Sequence, residues 1–202
     1  MERLFAFIEG ICEEYNIDES HGLKHAKDCM NFAEITMDSD CGEEERKLIR
    51  YAAALHDCVD KKYAPVEEAS RKVREFLITE DWTPDMADAL INIINTMSYS
   101  FLQAKRIDGM NVFPDHGPWQ RAYHTVRQAD LLCSYRVERC YQYQKRLSPD
   151  MTESECWDRV DALFNTRVFC YVENMWITTH VACALVPDLV REARRVLDRR
   201  AL

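Results

Sequence analysis

A chain of 202 residues with 47% hydrophobic residues can bury a sizeable core, and one domain is the first expectation. Its net charge of −9 argues against nucleic-acid and anionic-membrane partners, and no apolar run reaches membrane-spanning length. Only five glycines and six prolines interrupt long segments rich in Leu, Ala, Met, Glu and Arg, which points to an all-α fold.

Residues 2–15 carry Leu4, Phe5, Ile8, Ile11 and Cys12 on one helical stripe. The segment is amphipathic and acidic rather than a basic start followed by an apolar core, so no signal peptide is read there. A turn over 16–20 follows, with Asp18 and Ser20 as candidate caps for a second helix over 22–37. His21 and His25 would share a face if that helix starts early enough. A third helix is expected over 43–58, with Leu48, Ile49, Ala52, Ala53 and Leu55 facing inward. Pro65 opens a fourth helix to about 77, and Thr83-Pro84-Asp85 opens a fifth to about 97.

Residues 98–117 lack clear periodicity, and Arg106–Gly109 and Pro114–Gly117 within them read as turns. A loop of that length is often functional. From Pro118 a long helix runs past Asp130 towards Leu147. Thr152 and Glu155 form a capping-box pattern for a helix reaching about 176, and a last helix over 179–199 is interrupted or kinked near Pro187. The expectation is therefore a bundle of about eight helices in one domain spanning 1–202, with helices 152–200 completing it.

The nine cysteines are odd in number, and no pair has CxxC spacing. They read as small core residues of a soluble, intracellular protein in a reducing compartment.

One stretch carries the chemistry. Ala52-Ala53-Ala54-Leu55-His56-Asp57 is an apolar run that ends in two adjacent metal-type ligands, and unpaired polar groups in such a setting are costly. His25 upstream and Asp130 downstream, each within its own helix, supply further ligand types. Four N/O donors suit one divalent transition metal with open positions: Mn, Fe, Co, Ni or Zn, with Mg also feasible. His25 and Cys29 are four apart too, but a thiolate is not expected beside a complete His/Asp set.

The order His25, His56-Asp57, Asp130 resembles the HD-domain metal-dependent phosphohydrolase superfamily. Ser20-His21-Gly22-Leu23-Lys24-His25 is similar to its first motif, Ala52–Asp57 to its second and Gln128-Ala129-Asp130-Leu131-Leu132 to its last. The resemblance covers roughly residues 15–140 and is closest, through His56-Asp57-Cys58-Val59-Asp60-Lys61-Lys62, to small single-domain nucleotide pyrophosphohydrolases. Asp60-Lys61 stands where guanosine-tetraphosphate hydrolases carry a Glu-Asp pair, and Met97-Ser98 stands where two-metal members add a histidine. His116 and His124 are the remaining candidates for such extra ligands.

The resemblance implies metal ligation by His25, His56, Asp57 and Asp130. It also implies hydrolysis of a phosphoanhydride or phosphoester in a small phosphorylated substrate, a nucleotide first, by metal-activated water. Asp57 and Asp60 are the catalytic candidates, Asp60 as general base or positioning group. Asp60 is four residues after His56 and shares its face if the helix persists. His21, Lys61, Lys62 and Arg127 are substrate-binding candidates. Simpler roles compete: Lys61 and Lys62 also suit a helix C-terminus, and Arg127 could pair with a surface acid. The rival functions are a diiron oxygenase of the same fold and a catalytically silent nucleotide-binding protein.

Overall fold

The computed structural model describes residues 1–200. Among them are ten α-helices, three short 3-10 turns and no strand beyond one isolated bridge. The contacts divide the chain into two compact units, 1–129 and 130–202.

The first unit begins with α1 (Glu2–Glu14) and α2 (Leu23–Thr36). The link between them is held by Asp18, whose carboxylate accepts from the Ser20 backbone N–H at 2.9 Å and from its hydroxyl. Asp18 and Ser20 therefore shape the approach turn rather than cap α2. The N-cap is Gly22, with no side-chain cap bond. A Cβ at Gly22 would stand 3.3 Å from the Asp18 carbonyl oxygen, a tight approach that favours glycine. His21 precedes the helix, so it does not share a helical face with His25.

Helix α3 (Glu43–Leu55) is buried through Leu48, Ile49, Ala52, Ala53, Ala54 and Leu55. It packs on α2, where Ala26 and Ala33 are also buried. Small side chains on both surfaces let the backbones approach closely. The helix expected to reach residue 58 ends at Leu55. His56–Val59 continues as a 3-10 turn that touches α1, α3 and two later helices, α4 (Val66–Thr79) and α5 (Pro84–Thr96). All four of its residues are buried. Pro65 is the N-cap of α4, and the Thr83 hydroxyl caps α5 by accepting from Met86 N–H at 3.3 Å.

The 98–117 stretch contains a short helix, α6 (Tyr99–Gln103). Beyond it Ile107 and Met110 exchange backbone hydrogen bonds of 3.1 and 2.8 Å around Asp108-Gly109. Both central residues have positive φ, 50° and 77°, as a two-residue hairpin turn requires. After a 3-10 turn at Gly117–Trp119, α7 (Gln120–Cys133) begins in the first unit, and the unit boundary falls inside this unbroken helix.

In the second unit, α8 (Val137–Leu147) packs against α9 (Glu153–Thr166) and α10 (His180–Arg200). The helix expected from 118 to 147 is thus two helices, α7 and α8. Neither Gly nor Pro marks the break, which forms where Tyr135 and Val137 become buried. The capping box is present: Thr152 Oγ1 accepts from Glu155 N–H at 3.3 Å, and the Glu155 carboxylate accepts from Thr152 N–H at 2.9 Å. Helix α9 stops at Thr166 rather than near 176. Residues 167–177 stay apolar inward (Val168, Tyr171, Trp176, Ile177) but run through a 3-10 turn and loops. Burial of that kind is not distinguished from helix by apolar spacing alone. Pro187 lies inside α10, which is continuous across it.

Candidate metal centre

His25 projects from the first turn and a half of α2 and is 2% exposed. His56 and Asp57 project from the 3-10 turn and are 8% and 9% exposed. The His25 and His56 rings meet edge-to-face with centroids 5.2 Å apart. Their Nε2 atoms converge on one oxygen, Asp57 Oδ2, at 3.2 and 3.3 Å.

His56 Nδ1 lies 2.9 Å from the Ala53 carbonyl oxygen. A carbonyl can only accept, so Nδ1 carries the proton in that bond and the Nε2 lone pair faces the carboxylate of a neutral ring. Acceptor then faces acceptor, and positive charge between them, a shared proton or a cation, resolves the conflict. Burial alone would push the Asp57 carboxyl up; His56, His21 and His25 outweigh it and hold the group well below the usual carboxylate range.

Cys29, one turn after His25, joins the cluster. Its Sγ lies 3.4 Å from His25 Nε2 and 3.7 Å from Nδ1. Asp130 is carried on α7, three residues after Arg127. One donor atom each from His25, Cys29, His56 and Asp130 falls within 4.8 Å of all the others, the first three from buried residues. With Asp57 at the two imidazoles, the donor set of nitrogen, oxygen and sulfur fits a divalent transition metal. It is the one such group among the described residues.

A polar rim adjoins the cluster. His21 Nδ1 meets Ser20 Oγ at 2.8 Å and Tyr63 Oη at 2.9 Å, and Tyr63 Oη donates to Asp18 Oδ2 at 2.8 Å. Lys62 Nζ reaches His21 Nε2 at 3.2 Å and Asp60 Oδ2 at 3.0 Å. Hydrogen bonds from Ser20 and Tyr63 hold Asp18 below its ordinary value against the opposing effect of burial, the largest single influence.

The sequence-derived candidates divide on this geometry. His25, His56 and Asp130 are brought together with Cys29, Asp57 meets the two imidazoles, and His21 and Lys62 adjoin them. Asp60 has left the helix, with ψ of 124°, so it does not share a helical face with His56. Its Oδ1 accepts from Lys62 N–H at 2.9 Å, ordering the turn that presents Lys61 and Lys62. Arg127 is 1% exposed, with its guanidinium 4.4 Å from the Phe113 ring centroid and Nη2 3.4 Å from His124 Nδ1. Burial lowers it to about 10. It is a core cation.

His116 and His124 are not in the donor group. His116 Nε2 meets Thr96 Oγ1 at 3.1 Å and stacks on Tyr123, and His124 meets Gln120 at 3.1 Å and Arg127. Cys29 is not expected from the sequence, where the His/Asp set is complete without it; its i, i+4 spacing from His25 is the available signal. Tyr63 had no signal beyond its position after Lys61-Lys62.

Among the described residues no helix is long and apolar enough to cross a membrane. In comparisons with known proteins the chain matches no family model, no curated protein and no solved structure.

Proposed function

We propose that this chain is a metal-dependent phosphohydrolase of HD type acting on a small phosphorylated molecule, a nucleotide first. The observation that carries the reading is the convergence of His25 Nε2 and His56 Nε2 on Asp57 Oδ2, with an Asp130 carboxylate oxygen in one donor group with the two histidines. Acceptor-type donors brought together in an apolar setting call for a cation. A divalent ion held there supplies Lewis acidity towards a phosphoryl oxygen and lowers the pKa of a bound water.

The remaining work belongs to the chain. Ala53 fixes the His56 ring through its carbonyl, so Nε2 points inward without searching rotamers. Lys62, 37% exposed at its side chain, presents positive charge beside the donors, where phosphoryl oxygens need neutralising, and the exposed Lys61 precedes it on the same turn. His21, held by Ser20 and Tyr63, lies between that charge and the buried cluster. Asp60 orders the lysine turn and so acts as a positioning residue. The separate engagement of His116 and His124 supports a one-ion site over the diiron alternative.

A screen of nucleoside mono-, di- and triphosphates against Mn, Fe, Co, Ni, Zn and Mg tests the proposal, with phosphate and pyrophosphate release resolved. Metal-dependent turnover by wild type and none by Asp57→Ala is the expected outcome. Equal absence of metal from wild type and Asp57→Ala after loading would sink it.

A further inference from the structure

We propose that Cys29 is itself a metal ligand, its sulfur completing a mixed His/Cys/carboxylate site selective for thiophilic ions such as Zn and Co over Mg and Mn. The proposal rests on the metal-site reading above and adds to it a donor that the His/Asp pattern does not include.

Three observations converge. Cys29 is 1% exposed, and its sulfur lies against the His25 ring, 3.4 Å from Nε2 and 3.7 Å from Nδ1. Imidazole nitrogen and thiolate bind zinc at about 2.0–2.1 and 2.3 Å, so around a tetrahedral ion they stand roughly 3.5 Å apart. The neighbouring edges, His25 Nε2 to Asp57 Oδ2 at 3.2 Å and His56 Nε2 to the same oxygen at 3.3 Å, have the length of nitrogen–oxygen edges of one coordination polyhedron. Finally, the sulfur belongs to the one donor group in which every ligand atom lies within 4.8 Å of every other.

Cys29 and His25 are four apart on α2, which holds the two donors on one face at fixed separation. His56 and Asp57 come from the buried 56–59 turn, which α1, α3, α4 and α5 all touch, and Asp130 comes from α7. The sulfur thus belongs to a preorganised edge and not to a mobile loop. Binding forms one sulfur–metal bond and releases the thiol proton to solvent, with no change of oxidation state. Soft thiolate favours Zn and Co, whereas Mg and Mn prefer oxygen.

The test is cobalt loading of the full chain, with cobalt per chain counted and the near-ultraviolet spectrum recorded. The expected result is one cobalt per chain with a sulfur-to-cobalt charge-transfer band, lost in Cys29→Ser while the chain stays folded by circular dichroism. Zinc affinity should fall by more than about tenfold in the same variant, with magnesium affinity unchanged. X-ray absorption on zinc-loaded wild type supplies a measurement that needs no variant: one sulfur at about 2.3 Å is expected. Cobalt bound without the band, a band that survives Cys29→Ser, or a zinc shell of nitrogen and oxygen alone overturns the Cys29 assignment and leaves the metal site standing. No metal bound by wild type overturns both.

Discussion

His25 Nε2 lies 3.2 Å from Asp57 Oδ2, so a residue of α2 and a residue of the turn after α3 meet in the interior of the first unit. The carboxylate oxygen also lies 3.3 Å from His56 Nε2, so its negative charge and the imidazole lone pair together form a place for a cation. Asp57→Asn keeps the shape and removes the charge. Metal affinity is expected to fall by at least about a hundredfold, more than the tenfold or so typical of losing a supporting contact. Isothermal titration with zinc checks it, and an Asn variant that binds like wild type would remove Asp57 from the ligand set.

Lys62 sits between Asp60 and His21 at the edge of the same cluster. A charge-assisted hydrogen bond to phosphate is worth about 1.5–3 kcal/mol, so Lys62→Ala should raise KM for a phosphorylated substrate by about ten- to a hundredfold. kcat should change less, because the contact is made in ground and transition states alike. Steady-state kinetics with and without the substitution decides this. An unchanged KM would leave Lys62 as a local partner of Asp60 only.

Leu55, fully buried, is the last residue of α3 and immediately precedes His56 and Asp57. Truncation leaves a cavity beneath the 3-10 turn, and Leu55→Ala should lower unfolding free energy by about 2–5 kcal/mol. Urea unfolding with an unchanged m value measures it. Because the cavity lies next to His56, metal affinity should fall with stability. Loss of stability with undiminished affinity would mean that the turn is held by its other contacts alone.

In the second unit, the Thr152–Glu155 box satisfies the first turn of α9. Thr152→Ala should cost about 1 kcal/mol, and Thr152→Ser should cost much less because the hydroxyl is kept. Thermal unfolding of the pair separates loss of the cap from loss of the methyl group.

Much of this was legible in the residue pattern, and the exceptions share a cause. Helices α1, α4 and α5 have clear stripes and stop signals, and their ends fall within two residues of expectation. The candidate ligands His25, His56, Asp57 and Asp130 stand out because polar groups interrupt apolar runs. The end of α3 at Leu55, the break between α7 and α8, and the end of α9 at Thr166 have no glycine or proline to announce them. Tertiary burial decides those ends, as at Tyr135 and Tyr171, and periodicity is blind to it. Asp60 shows the consequence for function: its alignment with His56 depended on a helix that stops one turn too soon. Arg127 shows another. Spacing placed it near Asp130, but only packing against Phe113 and His124 reveals that it is buried.

His124 makes the packing of that arginine sensitive to pH. Burial, reinforced by the Arg127 and His116 charges, lowers its pKa from the ordinary 6.5 to about 4. The folded state therefore holds the ring neutral where the unfolded chain takes up a proton. Between these values the unfolded state binds more protons, so stability rises with pH. The contribution is fully present above about 6.5, the unfolded value, and is lost as pH falls towards the folded value. Between pH 7.5 and 5, wild type should lose about 1 kcal/mol more than His124→Gln, since each pH unit below 6.5 carries at most about 1.4 kcal/mol and solvent screening of a half-buried ring reduces it. Guanidinium unfolding of both proteins at the two pH values gives the difference directly. Equal losses would show that His124 titrates alike in the folded and unfolded chains, and that its contacts with Gln120 and Arg127 do not keep the ring neutral.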